Sequence, residues 1–539
     1  MGTKQYDSAT DLLTFSRASG GTALSKISYS NNLVTNGTFD TDLSGWTTDT
    51  EWVYSNGKAA LLANAQPNRS LSSTNAYVEA GKAYRVRFDA STSVGTPVNT
   101  SMKLRIWGND NGTGSFLYNG NYILTGSHER LISPTANGYV SFDNVVSSSF
   151  DKFIDNVSIE EVLFGQSDGT LQVYNHPNNI PRIEYDATGA VKGLLIEEAR
   201  TNLQVQSGDF SNSAWSASGA VTVDASYVAP DGSSTASKLT SNGASGASGV
   251  YDSNFQGTGM SLTCFMKAGS SGVYGWIEGI VGGTSPNATF DLENGTVVRS
   301  RECDASIESV GNGWFRCVVA NTTSSVSFFS VGGSDDADSS PWGFSSLTQG
   351  KFIYAWGAQL ETGAFPTSYI PTKGAPATRA IDIAEIPTSA FGYNNDVGSI
   401  SVEFKSNKPS SLDYGAFVLS DGGVSNRILH FTSSTATDHR VASINSNTIG
   451  VNIGVGSRGA PSELVKFAVG FSDNNFAASL NGATAVTDTS VTIPSGLSRL
   501  GLGFYYPTNL QSNLLNGHIK SIQYYPRRLT NTQLQELTT

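Results

Sequence analysis

Apolar and polar residues alternate with a period of two in many short runs of this chain. In "SMKLRIWGN", Met102, Leu104 and Ile106 take one face and Lys103, Arg105 and Trp107 the other. "AYRVRFDAS" and "MSLTCFMKAG" follow the same rule. Successive side chains of a strand project to opposite faces, so this spacing predicts half-buried antiparallel strands. Asn481-Gly482 lies between apolar runs and predicts a hairpin turn. The tail "LTNTQLQEL" predicts one short helix: Thr530 is a capping residue, and Leu534 and Leu537 lie three apart. The predicted fold class is all-β, a series of tandem antiparallel β-sandwiches of jelly-roll type.

Two stretches read as variants of one unit. The first runs from Asn31, "NNLVTNGTFDTDLSGW", to Val162, "KFIDNVSIEEV". The second runs from Thr201, "TNLQVQSGDFSNSAW", to Gly363, "KFIYAWGAQLETG". Both open on Asn-Leu, then a Phe, then a Trp (Phe39 and Trp46; Phe210 and Trp215), and both close on Lys-Phe-Ile. A sandwich brings its first and last strands near each other, which suits a unit signed at its two ends. Trp46, Trp215, Trp314 and Trp356 are expected in cores. A third unit follows "YIPTKGAPATRAIDIAEIP" and ends at the helix.

Composition narrows the function. Only 14% of the 539 residues are charged, and Gly numbers 57 against 17 Pro, so the surface is built from Ser, Thr, Asn and Gly. Net charge is -12, with no Lys/Arg cluster beyond Arg527-Arg528. Nucleic acid and anionic membrane surfaces need basic patches and are not expected partners. No apolar run has transmembrane length, so no membrane insertion is expected. "MGTKQYDSATDLLTF" lacks the apolar core of a signal peptide, which predicts folding in a cytoplasm without export. Cys264, Cys303 and Cys317 show no CxxC spacing; they read as buried thiols, with a pair on neighbouring strands as the alternative.

Candidate chemistry is sparse. Glu197 and Glu198 are adjacent on an extended run, so their side chains diverge and cannot flank one scissile bond as glycosidase carboxylates do. His128, His176, His430, His439 and His518 are scattered, and only His430 and His439 are placed to meet across a hairpin. "GVGSRG" from Gly454 precedes a strand rather than a helix, which argues against a dinucleotide site. Asp335, Asp336 and Asp338 form an acidic loop that reads as a solvated turn, with calcium ligation as the alternative. No GxSxG elbow is present. The chain is therefore expected not to be an enzyme and to require no cofactor. Sugar binding needs exposed aromatic faces, and the candidates by alternation are Trp52, Tyr54, Trp107, Tyr118 and Tyr122. Structural use of these rings at a sandwich edge or subunit interface stays open.

Three resemblances follow from these motifs. The first unit, with "NGTFD…SGW" and "IDNVSIEE", resembles carbohydrate-binding modules of the families four and nine type. The third, with "FAASLNG" and "GHIKSIQYYPRRLT", is similar to laminin-G/concanavalin-A-like lectin domains. "FSRAS", "PRIEYD…GLLIEEARTNL" and "WGAQLETGAFPTSYIPT" together resemble phage virion proteins of the tail-fibre and adhesion kind. There "FSRAS" normally lies shortly before "PRIEYD"; here the first module separates Phe15–Ser19 from Pro181. The expected organisation is therefore a split connector (1–30 and 166–200, virion anchoring) around an inserted sandwich (31–165), then a jelly roll (201–375) and a lectin-like sandwich (376–539). The carbohydrate-binding-module resemblance implies a structural calcium at Asp40 and Asp155. The virion resemblance implies a non-enzymatic tail-fibre or receptor-binding subunit, located in the virion and assembled in the host cytoplasm. It also implies other virion proteins and host surface polysaccharide as partners, a homotrimer, and 376–539 as the host-facing part. A purely structural tail, baseplate or head-fibre subunit, a glycan depolymerase, and a bacterial glycan-binding accessory protein are the alternatives.

Overall fold

The computed structural model describes residues 13–95, 99–108, 116–134, 136–166, 168–218, 220–255, 257–279, 286–320, 326–337, 347–505 and 513–539, without the side chains of 116–122. The chain forms two compact units, one of residues 26–170 with 177–180, the other of the residues up to 25 with 171–176 and 181–539. Almost every element is an antiparallel strand.

In the unit 26–170 the alternating runs form two sheets. One has the order Trp46–Thr48, Ser70–Val78, Gly138–Asn144, Asn99–Trp107, Phe116–Leu124. The other places Lys152–Phe164 between Tyr84–Thr92 and the end of Gly21–Tyr29, and the hairpin Trp52–Ser55/Lys58–Leu61 also joins it. Their apolar faces share a core that includes Phe39, Trp46, Phe88, Leu104, Phe142 and Ile159.

The second sandwich, within 216–362, has two six-stranded sheets, and its closing strand Phe352–Thr362 is central in one of them. It repeats the first unit's opening signature. Phe39 and Trp46 lie 5.4 Å apart between ring centroids, Phe210 and Trp215 4.6 Å. In both, the indole N–H donates to a main-chain carbonyl of the opening loop, Asn36 O at 3.1 Å and Gln206 O at 2.7 Å. All four expected core tryptophans are buried. Cys264 and Cys317 are direct cross-strand partners, both free and buried, with their thiols pushed up by that burial.

The third sandwich has two seven-stranded sheets. Asn481 and Gly482 both take positive φ, 44° and 75°, as a hairpin turn requires. Thr530 caps the helix Asn531–Glu536 in a capping box with Gln533. A second helix, the single turn Thr388–Phe391, was not expected.

Two short pieces of the connector add strands to this third sandwich, while Gly21–Tyr29 lies in a sheet between Lys152–Phe164 and Thr170–His176. Thr14–Ser16 pairs with Ile383–Pro387, Phe15 opposite Ala384. Ile183–Tyr185 pairs with Val191–Ile196, which in turn pairs with Gly517–Tyr525, Leu194 opposite Ile519. Strands this short cannot bury a core alone, so they are stable only as additions to a larger sheet. Among the described residues, no helix is long and apolar enough to cross a membrane.

Candidate functional site

In the five-stranded sheet of the unit 26–170, Leu104, Ile106, Val140 and Phe142 point into the core. By strand alternation, Arg105, Trp107, Tyr139, Ser141 and Asp143 point to the other face. Register aligns them. Tyr139 is opposite both Tyr77 and Trp107, Ser141 opposite Ser72 and Arg105, and Asp143 opposite Ser70 and Lys103. Three aromatic residues thus form one row across three strands, beside a polar row.

The polar row converges on Asp143, which is fully buried. Trp107 Nε1 donates to Asp143 Oδ2 at 2.8 Å, Arg105 Nη1 approaches the same oxygen at 3.3 Å, and the Ser141 hydroxyl donates to Oδ1. Burial raises the Asp143 pKa, against hydrogen bonds from Ser141, Ser70 and Trp107 and the Arg105 charge. The neighbouring Ser72 hydroxyl is buried without a hydrogen-bond partner. An orphaned buried hydroxyl costs about 1–3 kcal/mol, so this face holds an unmet polar demand. The aromatic row is more open at its far end: Tyr77 is 44% exposed and packs edge-on against Tyr139, centroids 5.1 Å apart. The open end of the aromatic row can stack the C–H face of a sugar ring, while the polar row beside it is buried and braces the strands that carry the rings.

The sequence candidates fare unevenly. Trp107 lies on the outer face as expected but is only 7% exposed; its indole is drawn down onto Asp143. Trp52 is 3% exposed and belongs to the core, because its short strand packs over the sandwich instead of projecting both aromatic residues outward. Tyr54 is 42% exposed and its hydroxyl donates to Asp40 O at 3.1 Å. Tyr118 and Tyr122 lie in the strand Phe116–Leu124, and their side chains fall outside the described residues. Tyr77 and Tyr139 were missed. Each alternates with apolar neighbours, but nothing local reveals that they meet across strands.

Asp40 is exposed and accepts from the Thr38 hydroxyl at 3.0 Å, and Asp155 accepts from the Asn156 N–H at 2.8 Å. The opening loop meets the closing strand where Val157 N–H donates to Gly37 O at 2.8 Å. Among the described residues no group of three or more His, Cys, Asp or Glu is placed to hold a metal, so a cation here would draw its other ligands from main-chain and amide oxygens. Asp335 binds Lys351 at 2.9 Å and Asp338 lies outside the described residues.

Glu197 and Glu198 diverge to separate partners. Glu197 accepts from Ser368 N–H and Oγ, both at 2.7 Å, and pairs with Arg182 at 2.8 Å. Burial works to raise its pKa, but Arg379 and Arg182 bring it down to about 2. Glu198 pairs with Arg200 and accepts from Asn516 Nδ2 at 2.7 Å. His430 and His439 do meet, Nε2 to Nδ1 at 3.0 Å, both deep in the third core.

No family model matches the chain, and no curated protein matches it. Among solved structures it is similar to a heptameric SAP-like pentraxin from Limulus polyphemus, at 11% identity and TM-score 0.23, covering 27% of this chain and 70% of that one. It is similar to a Ruminococcus gnavus sialidase CBM40 bound to α2,3-sialyllactose, at 14% identity and TM-score 0.23, covering 27% and 84%. It is also similar to a CBM22 tandem from Paenibacillus barcinonensis Xyn10C, at 12% identity and TM-score 0.22, covering 62% and 97%. Likeness of this degree supports no statement about what this chain binds.

Proposed function

We propose that this chain is a non-enzymatic phage virion subunit that recognises host surface glycan through the outer sheet face of the unit 26–170. The observation that carries the reading is the Tyr77–Tyr139 pair, with Tyr77 44% exposed and Tyr139 half-buried, on the sheet face that the buried polar set at Asp143 braces. The fate of Glu197 and Glu198, each tied into ion pairs, supports a binding role over a hydrolytic one. The virion part of the reading rests on the "FSRAS" and "PRIEYD" motifs, and assembly as a homotrimer with other virion proteins is part of the proposal. The pairing of Thr14–Ser16 and Val191–Ile196 into the third sandwich supports an anchoring role for that sandwich, and with it host recognition by the inserted module in place of 376–539.

The test is adsorption of purified protein to host cells and to their isolated surface polysaccharide. Saturable binding that a Tyr77→Ala/Tyr139→Ala variant loses is the expected result. Release of reducing ends from the polysaccharide would replace this reading with a depolymerase. Absence of binding by the assembled protein would replace it with a purely structural subunit.

A further inference from the structure

A cavity of about 390 Å³ lies within the unit that contains the second and third sandwiches. Its walls include Glu184, Lys192, Arg316, Lys405, His518 and Tyr185. Small-molecule sites typically measure about 300–1,000 Å³, so the space suits a ligand of one or two sugar rings.

The acids around it are already matched. Glu184 contacts Lys192 at 3.1 Å and His518 Nε2 at 2.5 Å. Burial works to raise the Glu184 pKa, but Lys192 and His518 outweigh it and keep the carboxylate ionised. Glu308 contacts Lys192 at 2.8 Å, and Glu197, at the back wall, is held by Arg182.

One cation is not matched and a second only in part. Lys405 is the cross-strand partner of His518, is half-buried, and its ammonium makes no ion pair or hydrogen bond. Arg316 directs one guanidinium nitrogen to Thr367 O and the Thr263 hydroxyl and shares its charge with the buried Glu361, while its Nε is buried without an acceptor. Asn407 accepts from the Ser462 hydroxyl at 2.9 Å, which leaves its amide N–H groups for a ligand. Leu24, Tyr185 and Ile307 supply apolar wall. The unmet demand is therefore for an anion with several hydroxyls and one apolar face.

We propose that this cavity binds a carboxylate-bearing sugar, with Lys405 and Arg316 receiving the carboxylate, Asn407 a ring hydroxyl, and the apolar wall the C–H face. Inorganic anions match the charge but leave the cavity largely unfilled, and neutral sugars leave Lys405 unmet. The site is separate from the sheet face at Tyr77 and does not depend on it.

The test is titration of the full chain with glucuronate, followed by saturation-transfer NMR, with glucose and inorganic phosphate as comparison probes. Glucuronate is expected to bind, with glucose at least ~10-fold weaker, the ratio given by one charge-assisted hydrogen bond. Lys405→Met keeps the stem and should weaken glucuronate by at least ~10-fold with an unchanged thermal midpoint. Phosphate should not displace it. Tyr77→Ala/Tyr139→Ala should leave it unchanged, which separates this site from the glycan face. No binding, equal binding of glucose, indifference to Lys405→Met, or displacement by phosphate would each overturn the proposal.

Discussion

Arg17 Nη1 lies 3.2 Å from Asp382 Oδ1, although 365 residues separate them. The same carboxylate pairs with Arg182 and accepts the Glu197 N–H at 2.9 Å, and Arg379 approaches it at 3.7 Å. Arg17, Arg182 and Arg379 are all essentially buried. Asp382 is the shared counter-charge that ties "FSRAS", "PRIEYD", "IEEARTN" and "TRAID" into one sandwich. Asp382→Ala should strand three guanidiniums with Glu197 alone and cost roughly 3–5 kcal/mol. Chemical denaturation measures this, and a loss under about 1 kcal/mol, typical of an exposed pair, would contradict it.

The His430–His439 pair makes the third sandwich acid-sensitive. Burial, then the His439 charge, holds His430 well below its usual pKa; burial, then Arg458, lowers His439 to about 4. Unfolded histidines titrate near 6.5, so between about pH 6.5 and 4 the unfolded chain binds the protons that the folded chain refuses. Stability contributed by the pair is complete above about pH 6.5 and falls as pH drops towards 4. Denaturant midpoints across that window should decline steeply in the native protein. The decline should be shallower in His430→Phe/His439→Leu, and an equal slope in both proteins refutes the assignment.

Tyr77 and Tyr139 should dominate glycan affinity. Aromatic anchors at interfaces are worth about 1–2 kcal/mol each, so the double alanine variant should bind host polysaccharide at least ~30-fold more weakly. Circular dichroism should be unchanged, since neither ring belongs to the buried core of this unit. Retained binding at native strength would locate recognition elsewhere.

Residues 26–170 should fold when excised. Their two sheets enclose a core with its own aromatic centre at Phe39, Trp46, Phe88 and Phe142. The expected result is a cooperative thermal transition and dispersed amide resonances from the fragment. A molten spectrum would show that the core needs the rest of the chain.

Ser72→Ala removes a buried hydroxyl that has no partner. It should be neutral or slightly stabilising, by up to about 1 kcal/mol, because the desolvation penalty goes with the group. If it weakens glycan binding at the same time, the hydroxyl is a ligand contact, and affinity measured beside stability separates the two effects.

Much was legible in the sequence because it is local. Period-two runs such as "SMKLRIWGN" specify strands and their inner faces, Asn481-Gly482 specifies a turn through its tolerance of positive φ, and Thr530 specifies a helix start through its capping oxygen. The Phe39/Trp46 and Phe210/Trp215 signatures likewise foretold two matching cores. What tertiary structure alone decided is which strands become neighbours. Alternation assigned Trp107 an outward face but not the Asp143 carboxylate that draws its indole down, and it misplaced Trp52 because a four-residue hairpin strand can pack either face. The Tyr77–Tyr139 pair, the His430–His439 contact and the Asp382 cluster all depend on register or on contacts across long stretches of chain. Side-chain periodicity carries the orientation of a strand, whereas pairing is settled by the competition of all strands for the same core.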